Sequence, residues 1–147
     1  MNGFSLEAYG QTSYTFYQKF HRNVVNRYIH VLTIPMLIWT IAFMMHAFSM
    51  TGVISLAYVY LYYLMDPASL VPMSVLWGGT YVSSCAVYWN RSPLTWYYVG
   101  AVHAAAWVLQ LIGHRFFEGN RPALTESVTQ AFVTAPLFVY YEMKELL

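Results

Sequence analysis

Four long stretches of this chain contain no Asp, Glu, Lys or Arg, and they constrain its fold more than any other feature. They cover residues 31–65, 67–90, 92–114 and 127–141. About 20 apolar residues in a helix cross the hydrocarbon core of a bilayer, and the first three stretches exceed that length. The chain is 59% hydrophobic and 9% charged, whereas a soluble domain carries roughly 25% charged residues. The sequence therefore predicts an all-α, polytopic membrane protein.

The turn signal Met50-Thr51-Gly52 divides the first stretch into two segments. We therefore expect about four transmembrane helices. A short amino-terminal helix precedes them, and a shorter apolar helix over 128–141 lies in the interface or re-enters the membrane. All of residues 1–147 are expected to form a single helical membrane domain. The expected spans are 31–50, 53–66, 71–89 and 95–113.

The charged residues indicate the orientation of the chain and exclude some functions. Seven Lys and Arg nearly balance six Asp and Glu, so there is no basic surface for a nucleic acid, which is not an expected partner. Lys19, Arg22 and Arg27 precede the first span and favour a cytoplasmic amino terminus. The lone Cys85 excludes an internal disulfide and a cysteine-based metal site.

Polar residues follow one face of the last expected span. His103, Trp107, Gln110, His114 and Glu118 are spaced by 4, 3, 4 and 4 residues, which places them on one helical stripe. Inside a membrane such a stripe faces the protein interior. For any single histidine on it, an interhelical hydrogen bond is as good an explanation as metal binding. His114 and Glu118 form a stronger pair, presenting two metal ligands or one ligand and the carboxylate that orients it.

His21 and His30 lie nine residues apart, so on an unbroken helix they would be half a turn out of phase and unable to share a metal. Asn23 and Asn26 lie between them, and asparagine is a common helix cap. We therefore expect one helix to end near His21 and a second to begin near Asn23 to Asn26. This break would turn both imidazoles toward the end of the helix over 95–113. On local evidence, His21 is also explained as a solvated residue of an amphipathic helix.

Two ordered motifs resemble those of the membrane 2-hydroxy fatty acid dioxygenase family, whose type member acts in phytosphingosine breakdown in yeast. The first is FYQKFHRNVVNRYIH over residues 16–30, followed by Pro35. The second is WVLQLIGHRFFE over residues 107–118, followed by RPAL over 121–124. Ala135-Pro136 also fits the family pattern, and the resemblance covers nearly the whole chain.

The resemblance implies an Fe(II)-dependent dioxygenase that uses O2 to shorten a 2-hydroxy fatty acid by one carbon, an α-oxidation. It implies that His21, His30 and His114 hold the iron, with Glu118 as a further ligand or as support for one. His103, on the same stripe, is an additional candidate ligand. The implied location is the endoplasmic reticulum membrane in a eukaryote or the inner membrane in a bacterium. The implied partners are the fatty acid, O2 and the bilayer, and a homo-oligomer is compatible with the sequence.

The residue chemistry fits this activity independently of the family. Fe(II) that activates O2 needs nitrogen and oxygen ligands with open positions, as in a set of two histidines and one carboxylate. His21 or His30, together with His114 and Glu118, supplies such a set. A further group of residues serves the substrate: Arg22 or Arg121 neutralises its carboxylate, and Asn23, Asn26 and Gln110 orient ligands or substrate.

Two functions of other classes stay open. A stripe of His, Gln and Glu in membrane helices also suits a small transporter or proton relay. The same stripe could serve only to pack helices in a structural membrane protein. The chain shows no internal repeat of the kind that many transporters have. Bound metal in stoichiometric amount discriminates between these functions, because a proton relay needs none.

Overall fold

The structure, a computed structural model, describes residues 5–119 and 130–146, and within these ranges it is helical without strands. The all-α class is therefore confirmed for this part of the chain. Its elements include short 3₁₀ turns at His46–Phe48 and Pro67–Ser69, π-helical turns at Gly113–Glu118 and Gln130–Thr134, and six longer helices. The six helices are α1 (Leu6–Gln18), α2 (Val24–Met45), α3 (Thr51–Met65), α4 (Leu70–Trp89), α5 (Pro93–Ile112) and α6 (Ala135–Leu146).

Local capping signals explain where the helices begin. The side chain of Asn23 accepts a hydrogen bond from the backbone N–H of Val25 at 2.9 Å and so caps α2. The backbone N–H of Ser92 donates to Oγ1 of Thr95 at 3.0 Å, as part of a capping box at the start of α5. The predicted turn is also confirmed, because α3 begins at Thr51.

Two helical segments are long and apolar enough to cross a membrane, Val24–Phe48 and Pro67–Trp89. The apolar α3 has 15 residues, which extend about 22 Å and fall short of a hydrocarbon core of roughly 30 Å. The sequence of α5 includes Trp, Tyr, His and Gln, which lower its hydropathy. The expected count of four spans is therefore not confirmed among the described residues.

Helix α2 lies at the centre of the bundle and packs against α4, α5 and α6. Helix α3 pairs with α4, and α1 lies against α3 and the π-helical turn before α6. The main apolar cluster joins Ile34 and Ile38 of α2 to Tyr62 of α3, Trp77 of α4 and Leu137 of α6. Helices α3, α4 and α6 therefore cover one face of α2, and a buried site lies along that face.

The shorter apolar helix that the sequence predicts over 128–141 corresponds to the π-helical turn Gln130–Thr134 and to α6, which continues beyond the predicted end to Leu146. Residues 128 and 129 lie outside the described ranges. Leu137 and Phe138 are fully buried, and Val139 is nearly so. The helix therefore packs into the bundle. Burial of these side chains is the driving force, because each removes a large apolar area from solvent.

The outer faces of the bundle carry many exposed aliphatic side chains. Six of them are more than 60% exposed and lie on three different helices, namely Leu32, Val53, Leu56, Val71, Val75 and Val82. Soluble monomers rarely expose large apolar patches. Such faces are typical of contact with lipid.

Candidate metal centre

The break between α1 and α2 is where the sequence predicts it. Helix α1 ends at Gln18 and α2 begins at Val24, with Asn23 as its cap. His21 lies in the connection and His30 lies in the second turn of α2. This break brings the two imidazole rings to a centroid separation of 4.4 Å. An unbroken helix could not have placed them on the same side.

His114 completes a group of three buried imidazoles. It lies in the π-helical turn that follows α5, and its ring centroid is 4.8 Å from that of His21 and 4.9 Å from that of His30. All three side chains are buried, and their potential ligand atoms lie within 4.8 Å of one another. These three residues could hold a metal ion, since neutral imidazole is a common ligand for zinc, iron, copper and nickel.

The hydrogen bonds of these rings favour metal binding. Nδ1 of His21 lies 2.9 Å from the backbone oxygen of Tyr17, and Nδ1 of His30 lies 2.9 Å from that of Asn26. A carbonyl oxygen can only accept, so Nδ1 carries the proton in each ring and Nε2 keeps a free lone pair. Nε2 of His21 is buried without a hydrogen-bond partner. A metal ion would supply the missing partner.

Burial also keeps His21 in the neutral form that binds metals. Its removal from solvent, together with the neighbouring His30 ring, lowers the pKa of His21 far below its ordinary value of 6.5. A neutral imidazole does not need to lose a proton before it binds an ion. The donor set and its protonation state therefore both fit a metal.

Glu118 does not join the three histidines. Its Oε1 accepts hydrogen bonds from the backbone N–H of Asn23 at 2.8 Å and from Nδ2 of Asn26 at 3.1 Å. A carboxylate at the first turn of α2 also interacts favourably with the helix dipole. Glu118 thus ties the π-helical turn to the start of α2, and through Asn26 it contacts the residue whose backbone oxygen orients His30.

His103 also lies outside the group, and both of its ring nitrogens have protein partners. Nδ1 lies 2.8 Å from Oγ1 of Thr40, and Nε2 accepts a hydrogen bond from Nε1 of Trp107 at 3.2 Å. Two α5 turns nearer the site, Nε2 of Gln110 donates to Oγ1 of Thr33 at 3.0 Å. The predicted stripe therefore makes hydrogen bonds between α5 and α2 along most of its length. Of the residues on this stripe, only His114 joins the group of three histidines.

The partner stripe on α2 is a feature that the sequence contains but that the sequence analysis missed. Asn26, His30, Thr33 and Thr40 follow one another at intervals of 4, 3 and 7 residues, so they share one face of α2. Thr33 is hydrogen-bonded to Gln110, and Thr40 is hydrogen-bonded to His103. Thr40 lies seven residues after Thr33 on α2, whereas His103 lies seven residues before Gln110 on α5. The two stripes therefore run antiparallel in a common register.

Tyr17 is a further residue of the site to which the sequence analysis assigned no role. Its ring stacks on that of His21, with centroids 3.7 Å apart and planes 11° from parallel. Its hydroxyl is buried and has no hydrogen-bond partner. Burial, reinforced by the Glu142 carboxylate, raises the pKa of Tyr17, so the group remains a protonated donor. The signal for it in the sequence is its position four residues before His21, because residues four apart are neighbours on a helix face.

The remaining predicted site residues have different environments. Arg22 is exposed to solvent, and Asn23 acts as the α2 cap. Asn26 is buried against Glu118, and Gln110 is buried and lines the cavity described next. Arg121 lies outside the residues that the structure describes.

An apolar cavity of about 290 Å³ extends from the three histidines along α2. Its walls include Ile34, Ile38 and Met45 of α2 and Ile54 of α3. From His30 to Met45 the helix rises about 22 Å, at 1.5 Å per residue. The site therefore combines a polar end, where three imidazoles and Tyr17 converge, with a long apolar interior.

Comparison with known proteins gives two matches. Residues 8–147 match the family described as 2-hydroxy-palmitic acid dioxygenase Mpo1-like. The chain is 29% identical over 134 residues to the 2-hydroxy-palmitic acid dioxygenase MPO1 of Saccharomyces cerevisiae. The aligned region covers 86% of this chain and 75% of the yeast protein. No solved structure matches the chain.

Proposed function

This chain belongs to the Mpo1-like family, and on that premise we propose that it is an iron-dependent dioxygenase that uses O2 to shorten 2-hydroxy fatty acids by one carbon. One observation carries the proposal: three buried imidazoles with ligand atoms within 4.8 Å of one another lie at one end of a long apolar cavity. The printed name of the yeast relative, a 2-hydroxy-palmitic acid dioxygenase, supports the substrate class.

The shape of the cavity suits a long acyl chain. Its course along α2 spans about 22 Å, more than the roughly 15 Å that one leaflet of a bilayer core provides for an acyl chain. Its walls are mostly apolar, and the three imidazoles lie at one end. A fatty acid would therefore place its carboxylate and 2-hydroxyl near the imidazoles and its tail among the isoleucines of α2 and α3.

His21, His30 and His114 would hold the metal ion. Iron at this position would activate O2 and attract the oxygen atoms of the substrate. Because no carboxylate of the described residues belongs to the group, three neutral ligands would leave the positive charge of the ion uncompensated. Such a centre suits an anionic carboxylate as its substrate.

Other residues would position the substrate and the ligands. Tyr17 would donate a hydrogen bond from its unpartnered hydroxyl to a substrate oxygen, and its ring would hold His21 in place by stacking. Glu118 would act through Asn26 as a positioning residue for His30. Gln110 lines the cavity, and Arg121 remains our candidate for binding the substrate carboxylate. The apolar walls would exclude water from the reaction.

We also propose that the protein acts within a bilayer. The exposed aliphatic side chains on α2, α3 and α4 support contact with lipid. About four spans with a cytoplasmic amino terminus remain the proposed topology, in the endoplasmic reticulum of a eukaryote or the inner membrane of a bacterium. A homo-oligomer is compatible with this arrangement.

The hydrogen bonds of α5 explain its polar stripe without a proton relay. His103 and Gln110 are engaged with Thr40 and Thr33 of α2. These contacts have the character of the interhelical bonds that pack membrane helices. The dioxygenase is therefore the better supported function.

Elemental analysis of anaerobically purified protein in detergent tests the proposal. We expect about one iron per chain in the parent, and loss of both iron and turnover of 2-hydroxyhexadecanoic acid in His114→Ala. The matched control is His103→Ala, which removes an imidazole of the same helix outside the group and should retain iron. An iron-free parent after iron-replete expression, or normal turnover by His114→Ala, would contradict the proposal.

A further inference from the structure

Two buried polar groups in the cavity wall have no hydrogen-bond partner in the described protein and no role in the proposed metal centre. Ser55 and Trp77 line the cavity and are only 7% and 6% exposed. Neither Oγ of Ser55 nor Nε1 of Trp77 makes a hydrogen bond. A buried polar atom left unpaired is costly, and native structures contain few of them. These two atoms therefore point to a ligand that carries a matching polar group.

Both residues belong to one wall, part of the way along the cavity. Ser55 and Tyr58 are neighbours on one face of α3, and the Tyr58 ring stacks on Trp77 with centroids 4.5 Å apart. Oγ1 of Thr51 donates to the backbone oxygen of Ala42 at 3.1 Å, which fixes the level of α3 beside α2. Ser55 lies one turn, about 6 Å, closer to the histidines than Thr51 does. The pair thus lies between the metal centre and the far end of the cavity.

We propose that Ser55 and Trp77 form a polar subsite for a single oxygen substituent within the acyl chain, a hydroxyl or keto group. This inference rests on the proposed function, because it takes the cavity as the acyl site. The indole N–H can only donate, whereas a serine hydroxyl both donates and accepts. A chain hydroxyl would accept from Trp77 and exchange a second hydrogen bond with Ser55. A keto oxygen would accept from both.

The surrounding walls limit where the oxygen can lie. Ile34, Ile38 and Ile54 offer only aliphatic surface, so an oxygen placed beside them would lose its hydration without gaining a partner. The subsite therefore predicts preference for one position along the chain. It does not predict a general preference for more polar chains.

Binding to the metal-free protein tests the subsite without relying on turnover. Dissociation constants would be measured by calorimetry in detergent for 2-hydroxyhexadecanoic acid and for a series that carries a second hydroxyl at successive chain positions. We expect one position, or two adjacent ones, to bind about five-fold tighter than the unsubstituted acid. Ser55→Ala and Trp77→Phe should each remove that preference, measured as the ratio of dissociation constants between each hydroxylated isomer and the unsubstituted acid in the same variant.

Two matched controls separate the subsite from general effects of the substitutions. Ser83→Ala removes a hydroxyl from the exposed face of α4, and Trp89→Phe alters an indole that is 75% exposed. Both should keep the positional preference. If Trp77→Phe fails to fold, Ser55→Ala still tests the proposal, because it removes one atom from a small side chain.

Equal or weaker binding of every hydroxylated isomer would overturn the subsite, and so would a preference that survives in both Ser55→Ala and Trp77→Phe. An ordered water that already satisfies the two groups would give the first of these results. Failure of the proposed function has a different signature. The iron-loaded parent would then not turn over 2-hydroxyhexadecanoic acid, whatever its binding preference.

Discussion

Gly113 lies so close to Asn26 that a methyl group on its α-carbon would overlap Oδ1 of that side chain. The same methyl group would also lie 3.4 Å from the side chain of Ile29. Asn26 provides the backbone oxygen that orients His30, and His114 directly follows Gly113. The close approach of α2 and the π-helical turn therefore helps to bring two of the three imidazoles together.

Gly113→Ala should separate these two segments. Overpacking at a buried contact costs about 1–3 kcal/mol of folding free energy, and relief of the overlap would displace Asn26 or the following histidine. We expect iron per chain to fall below half of the parent value in elemental analysis. Gly100→Ala on α5 is the control, because its added methyl group would have no atom within 4 Å other than those of its chain neighbours and its own helix backbone. Equal loss of iron in both variants would show that close packing at Gly113 is not the cause.

Substitutions of Glu118 distinguish support from direct metal binding. In Glu118→Gln an amide oxygen can still accept from Asn23 and Asn26, so we expect nearly the parent iron content. Glu118→Ala removes the acceptor and leaves the buried Asn26 amide unpaired, which should lower metal affinity about 10- to 100-fold. Titration of the metal-free protein with Fe(II) under anaerobic conditions measures both. If the glutamine variant loses iron as completely as the alanine variant, Glu118 is a ligand.

Tyr17→Phe should separate metal binding from turnover. The phenyl ring keeps the stacking on His21 but lacks the hydroxyl that we propose as a donor to the substrate. We expect normal iron content and a decrease of kcat/KM by at least roughly ten-fold, because a hydrogen bond to a charged group contributes about 1.5–3 kcal/mol. Tyr97→Phe is a suitable control, because Tyr97 is 75% exposed. Unchanged kinetics in Tyr17→Phe would remove this residue from the mechanism.

Ile41→Phe should shorten the acyl site. Ile41 lines the cavity between the histidines and Met45, so a larger ring there fills the space for the end of the tail. Competition assays with 2-hydroxy acids of increasing length should show a shift of the optimum toward shorter chains, while iron content stays unchanged. Leu32→Phe adds a similar ring on the exposed face of α2 and should leave the optimum in place. The same optimum in both variants would contradict our assignment of the cavity.

Arg27→Met should destabilise the protein in a way that depends on pH. Arg27 forms an ion pair with Glu142, whose side chain is only 1% exposed. Burial raises the pKa of Glu142, and Arg27 opposes that rise. Loss of the arginine leaves a buried carboxylate without its partner and should cost about 3–5 kcal/mol of folding free energy at neutral pH.

The sign of the pH effect follows from proton binding. A carboxyl with a raised pKa in the folded state binds protons more readily there than in the unfolded state, so lowering the pH favours folding. Relative to the parent, Arg27→Met should therefore gain thermal stability as the pH falls from about 7 to about 5. Arg27→Met combined with Glu142→Gln should recover stability and lose this pH dependence. A parallel pH profile of Arg27→Met and the parent would exclude Glu142 as the origin.

Much of the local structure could be predicted from the sequence because it depends on neighbours along the chain. The charge-free stretches predict the long helices, and the asparagines after His21 predict the break that allows it to approach His30. The spacing on α5 correctly places His103 and Gln110 on a face that contacts another helix. The number of membrane spans depends on helix length and hydropathy, and Val24–Phe48 and Pro67–Trp89 are the two candidates within the described ranges.

The sequence by itself determined the helices, the break and the polar faces, because each depends on residues within a few turns of one another. The tertiary structure decided which polar residues meet. Spacing fixes the direction of a side chain around its own helix axis, but it does not fix the distance between helices. The prediction for His114 and Glu118 also assumed a regular α-helix. The π-helical turn after α5 changes the directions in which these two side chains leave the helix axis. As a result the histidine reaches His21 and His30, while the carboxylate contacts Asn23 and Asn26.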